Sequence, residues 1–241
     1  TKLGYNALNM NIAYKLYSLY SRTTIYTYLT YEKADNTEML NYQNDGLLHN
    51  QNYMDGGEKE TVSATLYANK GLGNLPIDAK LTTTFLWNRN EIAYNSIPYK
   101  MLIGSLKTDL GFASRFKIPF NVEIDGLYNK LTNKVTDLNI DSSDKEIGGT
   151  AKLIFAKNKF ASFVTGKWNK IENTSGSKIL RDIDFSISYK IKKFTCKLSG
   201  TNIFHLNGIN WLKQNVTPTY TSYVRYKQHS GNVMLSLTYQ L

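Results

Sequence analysis

The segment Val233-Met234-Leu235-Ser236-Leu237-Thr238-Tyr239-Gln240-Leu241 puts Val233, Leu235, Leu237, Tyr239 and Leu241 on one side and Met234, Ser236, Thr238 and Gln240 on the other. That is the period-two signature of a strand with one apolar and one polar face. Working outward, the same pattern returns. Ile183, Phe185, Ile187 and Tyr189 alternate with Asp184, Ser186 and Ser188, and Phe194, Cys196 and Leu198 alternate with Thr195, Lys197 and Ser199. Leu102, Gly104, Leu106, Leu110 and Phe112 are set against Ile103, Ser105, Lys107, Asp109 and Gly111. Ile77, Ala79, Leu81, Thr83, Phe85 and Trp87 are set against Asp78, Lys80, Thr82, Thr84 and Leu86. Leu8, Met10, Ile12, Tyr14 and Leu16 repeat the pattern near the N-terminus. No sustained i, i+3, i+4, i+7 stripe marks a helix.

The chain has 241 residues, of which 20% are charged and 41% hydrophobic, with a formal net charge of +10. Mean hydropathy is -0.39. No apolar run is long enough for a transmembrane helix. Tyr is frequent at 18 and Pro scarce at 4. A single cysteine, Cys196, leaves no internal disulfide framework and no multi-cysteine zinc site. The three histidines, His49, His205 and His229, have no ligand spacing, and the Lys and Arg residues form no clustered stripe for nucleic acid.

Eleven strands are expected, at about 5–17, 22–33, 58–70, 76–90, 99–115, 118–134, 146–157, 159–172, 178–190, 194–204 and 219–241. Several exceed the modal strand of about 5–6 residues. Long strands with a fully polar second face suit a membrane barrel, in which one face meets lipid and the other a wet lumen carrying Lys80, Lys107, Asp109, Glu123, Asp125 and Lys152. Connections are expected to alternate between short ones (18–21, 70–76, 116–118, 157–158 and 191–193) and long ones (34–57, 91–98, 135–145, 173–178 and 205–218), as in outer-membrane barrels. Tyr17, Phe112, Phe116, Phe155, Phe160, Tyr189, Phe194 and Tyr239 fall near the short turns, and Tyr31, Trp87, Tyr128 and Trp168 near the long loops, as two interfacial girdles would. Eleven is odd, whereas bacterial single-chain barrels have even strand numbers. The expected fold class is therefore an all-β, antiparallel transmembrane barrel in which residues 1–241 supply about eleven of 22 strands. The first strands of that barrel would lie outside this sequence.

The run Ser199-Gly200-Thr201-Asn202-Ile203-Phe204, then Tyr220 through Arg225, then Val233 through Leu241, resembles the C-terminus of TonB-dependent outer-membrane receptors, most of all the Bacteroidota-type outer-membrane β-barrel family. The passage from Asn44-Asp45-Gly46 through Asp55-Gly56-Gly57 to Val62-Ser63-Ala64-Thr65-Leu66 is similar to a loop-to-strand passage of that family. The resemblance is specific in about the last fifty residues and departs at Leu241, where the family's assembly signal usually carries Phe. It implies localisation in the outer membrane of a Gram-negative bacterium. It also implies active uptake of a nutrient (a glycan, a peptide, a siderophore-iron or other metal chelate, or a vitamin) through a plugged barrel driven through TonB. The implied partners are outer-membrane lipid and lipopolysaccharide, the rest of the barrel and plug, TonB, and a surface lipoprotein lid. The alternatives are a transporter-derived scaffold in an outer-membrane complex, or a small autonomous porin or outer-membrane enzyme.

No catalytic constellation stands out, so no enzyme activity, cofactor or metal is expected. Glu123 and Asp125 share a face and read as lumen-lining groups, not as a catalytic carboxylate pair. His205 reads as a solvated loop histidine, and Cys196 as a small hydrophobe on the lipid face. Gly71-x-Gly73 has no following helix and is not a phosphate cradle. Ligand contacts are expected from aromatic and imidazole groups of the extracellular loops: Tyr42, His49, Tyr53, Tyr94, Trp211 and Tyr220.

Overall fold

The computed structural model describes residues 6–45, 48–138, 140–174, 176–216, 221–228 and 230–239, with the backbone alone at 44–45, 48–49, 209–216 and 221–228. The strands are β1 (Asn6–Ser18), β2 (Thr23–Asp45), β3 (Leu48–Gly71), β4 (Ile77–Tyr94), β5 (Ile97–Ser114), β6 (Phe120–Val135), β7 (Ile140–Lys157), β8 (Phe160–Asn173), β9 (Gly176–Ile191), β10 (Phe194–Thr201), β11 (Ile209–Val216), β12 (Thr221–Gln228) and β13 (Asn232–Tyr239). Eleven of them form one antiparallel meander, β1 through β10 followed by β13, while β11 and β12 pair as a separate hairpin. β1 and β13 form the two edges and do not pair with each other.

The main sheet has the expected eleven strands, but the described residues hold thirteen: β11 lies in the expected 205–218 loop and pairs with β12. The expected 34–57 loop is ladder, because β2 and β3 stay paired from Thr23↔Lys70 out to Asp45↔Leu48. The expected last strand, 219–241, is two: β12 belongs to the hairpin and β13 to the sheet. The break falls at Gly231, whose N–H donates to the His205 carbonyl and whose position would bring a Cβ within 2.1 Å of the Asn202 carbonyl oxygen. Only glycine tolerates that approach. All five short connections are where the sequence puts them, at the β1–β2, β3–β4, β5–β6, β7–β8 and β9–β10 turns. At the other end the expected 91–98 and 135–145 loops are largely strand, because β4 runs to Tyr94, β5 starts at Ile97 and β7 at Ile140, while residues 202–208 make a longer connection after β10. What differs there is how far paired strand projects, above all in the β2–β3 hairpin.

The register aligns every apolar stripe on one face. The row that starts at Ser18 runs through Thr23, Lys70, Ala79, Phe112, Ile124, Ala151 and Gly166 to Ile183. Ser18 is the last residue of β1, whereas Ile183 stands eight residues before the end of β9. Rows perpendicular to the strands thus climb about one residue per strand relative to the line of short turns. With about 3.3 Å per residue and about 4.8 Å between strands, the strands lean about 35° from the normal to that line.

The sheet is a single layer. The accessible surface of the whole chain is 16156 Å², against about 11,000 Å² for a compact monomer of this mass. Among the described residues the buried hydrophobics are Ala34, Met39, Ile92, Ala93 and Val135, all at the end away from the short turns. Leu153, Ile124, Phe120, Val164, Ile187 and Leu235 are exposed on the apolar face.

Candidate functional site

On the apolar face, β2 through β9 each carry an uncharged run above the short turns. Above Lys70 and Lys157, which stand on the same face at the short-turn ends of β3 and β7, its upper limit is the first charge reached: Lys33, Glu60, Arg89, Lys100, Lys130, Lys145, Lys170 and Arg181, in strand order. These stand from ten residues (Lys33 from Thr23) to fourteen residues (Lys100 from Ser114) above the short-turn end of their strand. At a 35° lean, ten residues span about 27 Å. Tyr31, Trp87, Tyr128 and Trp168 each sit two residues below such a charge, on β2, β4, β6 and β8. Phe120, Phe155 and Phe160 pack in sequence near the short turns, with centroids 4.7 and 5.6 Å apart, and Phe194 packs on Tyr239 at 4.8 Å. Tyr17, assigned to the lower girdle from sequence, pairs with Thr24 and belongs by register to the polar face.

The polar face is a wall of paired charges. Lys152 Nζ lies 3.0 Å from Glu123 Oε2, and the Thr150 hydroxyl donates to Asp125 Oδ2 at 3.3 Å, so each acid is held by the next strand. Glu123 and Asp125 are therefore on the polar face, each with a partner on β7. Lys107 pairs with Asp109 at 3.5 Å, and Lys167 pairs with Asp184. At the short-turn rim Asp78 bridges Arg22 and Arg115, tying the β1–β2 and β5–β6 turns to the start of β4.

The distal β2–β3 hairpin folds onto this wall. Register shifts between Ala34, Thr37 and Met39 bend it. The outer edge of β2 then pairs in parallel with β4 at Asn41↔Ala93 and Tyr42↔Tyr94. Ser96 N donates to Asn41 Oδ1 at 3.1 Å, and Asn95 N donates to the Tyr42 carbonyl at 2.9 Å. Of the buried set, Ala34, Met39, Ile92 and Ala93 belong to the strands of this fold-over, and Val135 ends β6. Gly57 allows a close approach there, since a Cβ would stand 3.0 Å from the Met39 Cβ. The same corner holds amide atoms with no hydrogen-bond partner among the described residues: Asn41 Nδ2 and the Oδ1 atoms of Asn88, Asn90 and Asn133.

Of the residues expected to contact ligand, Tyr42 and Tyr94 are brought together as register partners. Tyr53 lies on the same hairpin, opposite Leu40, and is exposed. These three, expected in loops, are on strands. His49 pairs with Asn44 near the hairpin tip and Trp211 pairs with Tyr226 in the β11–β12 hairpin, and both side chains lie outside the described residues. Tyr220 lies outside them entirely.

The sequence did not single out the Asp182–His205 pair. His205 Nδ1 lies 2.9 Å from Asp182 Oδ2. Asp182 Oδ1 also accepts from Phe204 N, and Asp184 Oδ1 accepts from Asn202 N. Two alternate acids of β9 thus hold the turn that leaves β10. His205, expected as a solvated loop histidine, ends a short 3-10 turn (Ile203–His205) and is half-buried and oriented by a carboxylate. It borders a small hollow with Lys167, Asn169, Leu180 and Asn202. The available signal was Asp182-x-Asp184 on the polar face of a strand, which alone does not name its partners. Among the described residues no group of His, Cys, Asp and Glu could hold a metal ion.

Neither the family models nor the curated proteins compared with this chain match it.

Proposed function

We propose that the eleven-stranded sheet is part of a transmembrane β-barrel in the outer membrane of a Gram-negative bacterium, and that this barrel takes up a nutrient in a TonB-dependent manner. The observation that carries this reading is the uncharged apolar belt. The least height of the belt, about 27 Å, covers the apolar band of an outer-membrane barrel, and a lean of about 35° fits the tilt of its strands. A soluble single-layer sheet has no reason to leave Leu153 and Leu235 bare while keeping one face uncharged over such a height on β2 through β9. Two edges that run the same way would meet in parallel if β1 joined β13 directly. Antiparallel closure therefore calls for an odd number of further strands, and eleven would make a 22-stranded barrel of the plugged transporter class. The polar wall then faces the lumen, with the β2–β3 hairpin folded over its outer end, where Tyr42 and Tyr94 would meet a ligand.

Uptake is tested by deleting the gene and growing the strain on defined glycans, peptides or ferric chelates as sole source. The expected result is a defect on one of these, reproduced by loss of TonB. Normal growth on all of them, with loss of an outer-membrane complex that needs the protein, would replace uptake with a scaffold role.

A further inference from the structure

The apolar belt is not uniform. Gly149 and Gly166 lie diagonally to each other on β7 and β8, and their missing side chains leave a groove of ≈ 490 Å³. Ile124, Ala151, Trp168, Ile183 and Phe204 line it, and Arg181 closes its upper end. Asp125, Thr150, Lys167 and Asp182 also border it, although by register they belong to the other face. Above the groove, four adjacent strands each bear a cation on the apolar face: Lys130, Lys145, Lys170 and Arg181. Glu172 is the acid among them, in contact with Lys145 and Lys170. Lys130 and Arg181 have no ion-pair partner among the described residues. Of the eight charges that bound the belt from above, seven are basic.

We propose that this groove and its cations bind a phosphorylated lipid of the outer leaflet. An acyl chain would lie over the glycine floor against Trp168 and Phe204, and the headgroup phosphates would meet Arg181 and Lys170 on one side and Lys130, two strands further on, on the other. Each part of the site answers one part of the lipid. A cation beside an anionic interface attracts phosphate, and a trough in a sheet accepts a chain that a row of leucines would exclude. Gly166 matters because a Cβ there meets nothing nearer than the Ala151 carbonyl oxygen at 4.0 Å. A larger residue at this position fills the groove without disturbing the ladder.

The inference rests on the membrane reading, and the experiment separates the two. Full-length protein is reconstituted in phosphatidylcholine nanodiscs doped with lipid A or with its dephosphorylated form, and co-purifying lipid is counted by native mass spectrometry. The wild type should retain lipid A over the dephosphorylated form, and inorganic phosphate alone should not bind. K130A and R181A should each lower retention about fivefold, roughly one cation's share. G166L should lower retention of both lipids while insertion stays intact. Insertion without selective retention, or equal retention by all variants, overturns the lipid site and leaves the barrel standing. Failure to insert at all removes the barrel reading itself.

Discussion

Asp78 is mostly buried and sits between the guanidinium groups of Arg22 and Arg115. Both arginines are substantially exposed, so solvent screening limits the gain. D78N should cost about 1 kcal/mol in urea-dependent folding into micelles. Gly71 guards the same contact, since a Cβ would fall 2.8 Å from Arg22 Nε. G71A should therefore lose what R22A loses, with little added in the double variant. An additive double variant would show that Arg22 has room to move aside. Gly148 is more constrained, because a Cβ there would meet Asn169 Oδ1 at 1.8 Å and the Trp168 carbonyl oxygen at 2.9 Å. G148A should cost about 1–3 kcal/mol on the same assay. Above the belt, the Lys170 ammonium hydrogen-bonded to Glu172 holds its carboxyl below the usual carboxylate range, and Lys145 adds to the effect. The folded state binds that proton less readily than the unfolded one. The contribution is therefore present above the unfolded value and is lost as pH falls through the folded one. E172Q should flatten that part of the acid limb.

At the scale of the strand, the alternation of Ile77 through Trp87 was readable because one face differs from the other at every second residue. The extension of β2 and β3 past Ala34 was not. Thr37 through Asp45 and Leu48 through Gly57 have no sustained apolar–polar alternation, and the backbone ladder that holds them leaves no mark in side-chain pattern. The fold-over onto β4 depends on register shifts that the sequence does not announce, so the meeting of Tyr42 with Tyr94 and the burial of Asn41 were out of reach. The merging of β12 with β13 into one expected strand has a similar cause. Ser230-Gly231 is a short break between two strand-like runs, and its role follows from the closeness of Asn202. The belt gives this scale its own prediction. Leu153 is exposed, and in a water-soluble sheet L153R would be tolerated. In a lipid-facing strand it should cost about 2–4 kcal/mol, while T165R on the polar face should cost far less. Equal tolerance of both in refolding titrations would argue against lipid on that face.

For the whole molecule, composition understates the organisation. A charge content of 20% averages an uncharged belt with a polar wall of ion pairs. The Tyr excess divides in the same way, with Tyr31 and Tyr128 at the upper limit of the belt and Tyr42, Tyr53 and Tyr94 at the folded hairpin. The central claim is that one face of the sheet meets lipid and the other water. A cysteine scan along β4 from Ile77 to Arg89, in a Cys196→Ser background and in reconstituted full-length protein, tests it most directly. Spin labels at Ala79, Leu81, Thr83 and Phe85 should be relaxed by oxygen dissolved in the bilayer. Those at Lys80, Thr82 and Thr84 should be relaxed by a water-soluble nickel chelate, and the alternation should end at Arg89. Nickel accessibility at every position would contradict the account.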